Sequence, residues 1–149
     1  MNHLGYACIN QGFSTLPKSQ RITTNRTMIK RTYHDRGIEY ASELALQNLR
    51  DLHTILEWNL ENDIYFYRLS SNIIPWASEY DLVDMPNFGA IHAAALKAGN
   101  FARKHGMRLT SHPGPFNKLA SPKERVYKLT ETDLSVHGDL FDLIGLPRT

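Results

Sequence analysis

Apolar residues recur along the chain at two different spacings, and these spacings predict alternating strands and helices. Short runs rich in β-forming residues predict strands over residues 4–10, 64–70 and 107–112. Apolar positions three to four residues apart predict helices over residues 37–60, 88–104 and 121–144. Residues 11–35 are polar and irregular, so no regular element is expected there. The predicted order is therefore strand, helix, strand, helix, strand, helix.

The last predicted helix has the clearest start signal. Ser121 is expected to be its N-cap, Pro122 its first helical residue, and Glu124 the partner in a capping box. Asp133, His137 and Asp142 recur along this helix at near-helical spacing, and we expect them on its outer face. Gly145 is expected to end the helix.

Alternating strands and helices with short connections predict an α/β fold with a parallel sheet. A doubly wound sheet and a (β/α)₈ barrel, the TIM barrel, both begin in this way. No G-x-G-x-x-G motif follows the first strand, so a dinucleotide-binding sheet has no support. We therefore expect a single domain over residues 1–149 that forms three βα units of a partial TIM barrel.

Polar residues follow each predicted strand. Asn10 ends the first strand, residues 70–72 (Ser-Ser-Asn) the second and His112 the third. The carboxyl ends of parallel strands meet at one edge of the sheet, where α/β proteins place their active sites. Each residue also has a simpler interpretation, since Asn is common in turns and His112 precedes Pro113. Both interpretations stay open on spacing alone. Tyr6, Phe66 and Thr110 are expected to face the barrel interior.

The net charge of +2 hides a strong sorting of charge along the chain. Residues 17–36 hold six basic residues and one acidic residue, and residues 97–128 hold eight and one. If the two basic segments converge in space they favour a polyanionic partner; otherwise they are an ordinary solvated surface. Cys8, the single cysteine, allows no intrachain disulfide, and no apolar run is long enough for a membrane span. We expect a cytoplasmic protein with no membrane partner.

Six segments resemble the ultraviolet-damage endonucleases in order and spacing. They are residues 4–10, 24–27 (Thr-Asn-Arg-Thr), 48–52 (Asn-Leu-Arg-Asp-Leu), 67–78, 108–114 (Arg-Leu-Thr-Ser-His-Pro-Gly) and 120–124. The resemblance implies a (β/α)₈ barrel similar to endonuclease IV. It also implies hydrolysis of the phosphodiester on the 5′ side of ultraviolet photoproducts in double-stranded DNA. Divalent metal ions, with Mn²⁺ expected, are the implied cofactors.

The resemblance also assigns roles to individual residues. It implies that His112 is a metal ligand, and that Tyr6, Asn10 and Asn72 are catalytic residues lining the active site. The implied DNA contacts are Asn25, Arg26, Pro115 and Phe116, the last two in a loop that probes the damaged bases. The family usually has Gln where this chain has Pro115, which has no side-chain amide. The family's remaining metal ligands fall beyond residue 149.

Because three strands cannot close a barrel, we expect a complementary chain or self-association through an open sheet edge. Two other functions remain open. One is a metal-dependent barrel enzyme of another kind, such as a sugar isomerase. The other is a non-catalytic DNA-binding remnant or a subunit of a split enzyme.

Overall fold

The computed structural model describes residues 4–114 and 117–145, in which three parallel strands alternate with helices. The strands are β1 (Gly5–Ala7), β2 (Phe66–Leu69) and β3 (Arg108–Ser111). The helices are α1 (Gln11–Ser14), α2 (Lys30–Glu61), α3 (Phe88–Lys104) and α4 (Glu124–Ile144). The strands pair in the order β1-β2-β3, and both pairs are parallel. The predicted parallel α/β arrangement is confirmed.

The strand register separates a helix-covered face of the sheet from an open face. Tyr6 pairs with Tyr67, which pairs with Leu109, and both Tyr67 and Leu109 are buried in the core that the helices cover. Neighbouring residues on a strand point to opposite faces. Phe66 and Thr110 therefore lie on the open face, as expected. The prediction that Tyr6 shares that face is wrong, because the register pairs Tyr6 with Tyr67 and not with Phe66.

The core lies between the sheet and the helices α2 and α3. Leu49, Leu52 and Leu56 of α2 are completely buried, as are Ile91 and other apolar residues of α3. Burying each such side chain contributes about 1.5–3 kcal/mol. The helix α4 packs against α3 so closely that a Cβ atom at Gly99 would lie 1.8 Å from the carbonyl oxygen of Ile144. Only glycine fits at that crossing.

One predicted helix start is wrong, and another coincides with a break inside a longer helix. The helix α2 begins at Lys30 and is interrupted at Gly37, whose φ of +67° favours glycine; the predicted helix corresponds to the part after this break. Residues 11–35 also contain the short helix α1. The helix α4 begins at Glu124, and its N-cap Lys123 makes no side-chain capping bond. Ser121 instead accepts a hydrogen bond from the Lys123 amide through Oγ, so no capping box forms.

The ends of α3 and α4 agree with the sequence. The helix α3 covers Phe88–Lys104, as predicted, and Gly106 follows it with φ of +65°. Gly145 ends α4 with φ of +72°. Glycine adopts this left-handed conformation without the strain that a Cβ atom brings.

Both outer strands of the sheet have an unpaired side in the part of the chain that the structure describes. The strand β2 lies in the middle, so β1 and β3 each have one strand neighbour. The three strands thus form an open sheet segment. No helix among the described residues has the length and apolar character that crossing a membrane requires.

We predict that Gly99→Ala destabilises the protein, because the added methyl group meets the Ile144 carbonyl oxygen. Overpacking of this kind costs about 1–3 kcal/mol or more. The matched control is Gly138→Ala in α4, where nothing lies within 4 Å of the added Cβ. That change should stabilise the protein by about 0.5–1 kcal/mol. Urea unfolding of both variants measures the difference, and equal effects would contradict the close crossing of α3 and α4.

Candidate functional site

The polar strand ends predicted from the sequence lie along one edge of the sheet. We call this edge the mouth; it consists of the loops after the three strands, residues 8–29, 70–87 and 112–123. Because all three strands are parallel, these loops lie at the same edge. Asn10 is buried there, whereas Asn72 and His112 are exposed.

Buried hydroxyl groups join the first two loops of the mouth. Thr24 Oγ1 lies 2.7 Å from Ser70 Oγ and 3.2 Å from the Tyr67 hydroxyl. The Tyr67 hydroxyl also donates to the Cys8 carbonyl oxygen at 2.8 Å. Thr24, Ser70 and Tyr67 are each at most 1% exposed. Burial raises the pKa of Tyr67 well above its usual value, so this hydroxyl keeps its proton.

The side-chain amide of Asn48, in α2, binds both loops at once. Its Oδ1 accepts from the Arg26 backbone amide, and its Nδ2 donates to the carbonyl oxygens of Arg26 and Ile73, all at 3.0 Å. Arg26 belongs to the loop after β1 and Ile73 to the loop after β2. Asn48 is completely buried. One amide therefore fixes the position of two loops.

The guanidinium of Arg26 is bound by a carboxylate of α2 and by carbonyl oxygens of its own loop. It forms an ion pair with Asp51, with 2.6 Å between Nη1 and Oδ2. It also donates to the carbonyl oxygens of Thr23 and Arg21, at 2.8 and 2.7 Å. Asn25 is half-buried, and its backbone amide donates to Thr23 Oγ1. The structure thus gives Arg26 a role in loop structure, and the DNA contacts of both residues stay predictions.

Tyr6 and Asn10 form a small network behind the mouth. The Asn10 Nδ2 group donates to the Tyr6 hydroxyl at 2.9 Å, and that hydroxyl donates to Asn59 Oδ1 in α2 at 2.7 Å. Asn10 Oδ1 accepts from the Phe13 amide and so caps α1. Burial raises the pKa of Tyr6, although the bonds from Asn10 and Asn59 oppose the shift. The network has a structural role, and the catalytic roles of Tyr6 and Asn10 stay predictions.

Asn72 borders a cavity of about 340 Å³ between the second loop and α4. Ser71, Trp76 and Asp133 are among the other residues that line it. Trp76 has φ of +56°, which is unfavourable for a residue with a Cβ atom. Its ring stacks on Tyr33 at 5.2 Å, and its Nε1 donates to a backbone carbonyl of the first loop. The cavity is the concave part of the mouth nearest to Asn72.

His137 is buried, which corrects the prediction that it lies on the outer face of α4. It is 6% exposed, and its Nε2 lies 3.8 Å from Asp133 Oδ2. Neither ring nitrogen has a hydrogen-bond partner among the described residues. Burial lowers the pKa of His137; Asp133 opposes this effect and His112 adds to it. The His112 imidazole is therefore close enough to act electrostatically on His137.

A metal site is incomplete in the described part of the chain. No group of three or more His, Cys, Asp or Glu side chains there is placed to hold a metal ion. His112 stays a predicted ligand. Pro115 and Phe116, predicted to contact damaged DNA, lie outside the described residues. The structural roles of Asn48, Thr24 and Asp51 were not predicted, although all three residues stand in segments that carry the family resemblance.

The sequence profile described as UV-endonuclease UvdE matches residues 2–149 of the chain. The chain belongs to this family. Membership of the UvdE family agrees with the resemblance found in the sequence. It gives no support to the alternative of a sugar isomerase. The strand ends and loops described above therefore belong to a UvdE protein.

Relatives of this UvdE chain are longer than it is. A putative UV-damage endonuclease of Acanthamoeba polyphaga mimivirus is 35% identical, over 95% of this chain and 42% of its own length. The UV-damage endonuclease of Schizosaccharomyces pombe is 34% identical, over 96% of this chain and 23% of its own length. The crystal structure of SacUVDE superposes with a TM-score of 0.81 at 28% identity, covering 97% of this chain and 46% of that one. The chain spans less than half of each, and its fold is that of a partial TIM barrel.

We predict that Asn48→Ala destabilises the protein by about 3 kcal/mol. The change leaves the Arg26 amide and two carbonyl groups buried without partners, and each unsatisfied group costs about 1–3 kcal/mol before relaxation. Gln47→Ala is the matched control, since Gln47 is exposed on the same helix and should shift stability by no more than about 0.5 kcal/mol. Denaturant unfolding and amide exchange at Arg26 provide the measurement. Unchanged exchange at Arg26 would contradict the bridging role.

Proposed function

We propose that this chain forms part of the active-site mouth of a DNA repair endonuclease. The proposed reaction is hydrolysis of the phosphodiester on the 5′ side of ultraviolet photoproducts in double-stranded DNA. The observation that carries the proposal is the placement of His112 directly after β3, at the edge where α/β barrels hold their active sites. Family membership supports the substrate. An intracellular, cytoplasmic location follows from such a substrate.

Divalent metal ions, with Mn²⁺ expected from the family resemblance, are proposed cofactors. Metal ions supply this chemistry by activating a water molecule and by neutralising charge on the attacking and leaving oxygens. His112 would contribute one imidazole ligand. Since the described residues hold no group of three ligands, the other ligands have to come from elsewhere. We propose that further strands, from the same or a complementary chain or from a second copy, pair with the open edges of β1 and β3.

An exposed basic surface at the mouth supports DNA as the partner. Lys123, Arg125 and Lys128 are all exposed, at the end of the loop after β3 and in the first turns of α4, and Lys118 of the same loop is exposed as well. Lys128 forms an ion pair with Glu124 at 2.7 Å. The charges of Lys118, Lys123 and Arg125 are not part of that pair, so the surface on the His112 side of the mouth is positive. Lysine and arginine side chains of this kind neutralise phosphates. The proposed contacts of Asn25, Arg26, Pro115 and Phe116 would add to this surface.

A non-catalytic DNA-binding subunit is the second candidate function. The exposed basic side chains of Lys123 and Arg125 support DNA binding whether or not a metal ion is bound. Both candidates predict DNA binding, and they differ in whether His112 is needed for incision once the remaining strands are supplied. The two predictions below separate binding from catalysis.

We predict that binding to undamaged duplex DNA weakens steeply with salt, because released counterions contribute to phosphate binding. The double variant Lys123→Glu/Arg125→Glu should weaken binding and reduce the slope of log K against log salt by about one for each phosphate that is no longer neutralised. Lys104→Glu is the control, since Lys104 ends α3 at the opposite edge of the sheet. Fluorescence anisotropy at several salt concentrations measures both. Since the double variant changes the net charge by −4 and the control by −2, an equal effect per unit of charge would mean that net charge, and not this surface, drives binding.

We predict that incision of ultraviolet-irradiated duplex with Mn²⁺ requires the chain together with the part of SacUVDE that lies outside the aligned segment. In that mixture, His112→Ala should lower incision by at least roughly 10–100-fold. Loss of a residue that only hydrogen-bonds a metal ligand already costs about that much, and loss of a ligand should cost more. His92→Ala, an exposed histidine of α3, is the control and should retain incision. Full incision by His112→Ala would refute the ligand role. Incision by the chain alone would refute the need for further strands.

A further inference from the structure

The loop that carries His112 is attached to α4 by two neighbouring residues. The Lys118 backbone amide donates to Thr130 Oγ1 at 2.9 Å, and Asn117 Nδ2 donates to Asp133 Oδ2. Thr130 and Asp133 are three residues apart, so they share one face of the helix. The Thr130 hydroxyl in turn donates to the Val126 carbonyl oxygen at 2.8 Å, which fixes its orientation. Both attachments therefore have fixed anchors on α4.

The same helix face continues to the buried imidazole of His137. Asp133 Oδ2 accepts from the side-chain amide of Asn117 and lies 3.8 Å from the His137 Nε2. Thr130 and His137 are 1% and 6% exposed, so Asp133 has a buried residue on either side of it along the helix. The Asp133 side chain itself is 34% exposed, so the Asn117 contact lies at the boundary between these buried residues and solvent. A hydrogen bond to a charged carboxylate is stronger than one between neutral groups.

We propose that Asp133, together with Thr130, is a positioning residue for residues 112–114 and 117–118. A Cβ atom at Gly114, two residues after His112, would lie 3.9 Å from Asp133 Oδ2, and the Asn117 backbone amide donates to the Gly114 carbonyl oxygen at 3.4 Å. The contacts with α4 therefore limit the orientations in which the His112 imidazole is presented. Asp133 also lines the cavity beside Asn72, so it joins the third loop of the mouth to the second. Its carboxylate acts through Asn117 and has no contact with DNA in this proposal.

A reversal of donor and acceptor tests the proposal. Asn117→Asp places two carboxylates against each other, whereas Asn117→Asp/Asp133→Asn restores the hydrogen bond in the opposite sense with the net charge of the natural chain. We expect Asn117→Asp to accelerate amide exchange at Lys118 by about 10- to 100-fold and to shift the His112 ring signals in NMR spectra. Asp133→Asn alone should have a smaller effect, since a neutral hydrogen bond remains available. The double variant should recover both values.

Glu131→Gln, an exposed charge change on the same helix, is the matched control and should leave both signals unchanged. Failure of the double variant to recover Lys118 exchange would overturn the proposal, as would unchanged His112 signals in Asn117→Asp. The importance of the loop rests on the function proposed above, but the test contains neither DNA nor metal. Loss of the positioning role and loss of the nuclease function would therefore be distinguished.

Discussion

The structure of the mouth depends on one buried amide. Asn48 satisfies backbone groups of two loops that are distant in sequence, and it does so from the middle of a helix that is packed on the sheet. A buried backbone group without a partner is costly, so the loops have few alternative positions while α2 remains docked. The hydroxyl cluster around Thr24 adds a second connection between the same loops. The geometry of the first two loops of the mouth thus follows from the packing of α2.

The bounds of several elements were predictable from local patterns, whereas the start of α4 and the contacts between elements were not. The bounds of α3 follow from its apolar spacing and from Gly106, both local features. The face of Tyr6 depends on strand register, which a single strand does not specify. His137 is buried on the face of α4 that also carries Thr130 and Asp133, and helical spacing alone could not show which face is covered. The catalytic, DNA-binding and metal roles assigned by resemblance remain predictions.

The sorting of charge along the sequence overstated one basic segment. In the segment of residues 17–36, Arg26 is paired with Asp51 and bound to backbone carbonyls, so its charge supports the first loop. Asp51 lies outside that segment in sequence, which is why counting charges within it missed the pairing. In the second segment, Lys123 and Arg125 remain exposed beside the mouth. Whether an arginine supports the structure or could bind a phosphate depends on where its acidic partner lies, and that position is known only from the fold.

The described residues of the three loops of the mouth are held by contacts with two different helices. The first two loops share a buried network anchored in α2, so they move only if core polar groups lose their partners. The third loop is held from α4 by the contacts at Thr130 and Asp133, outside that network. The positions of the first two loops therefore depend on the docking of α2, whereas the described residues of the third loop depend on the docking of α4, which packs on α3.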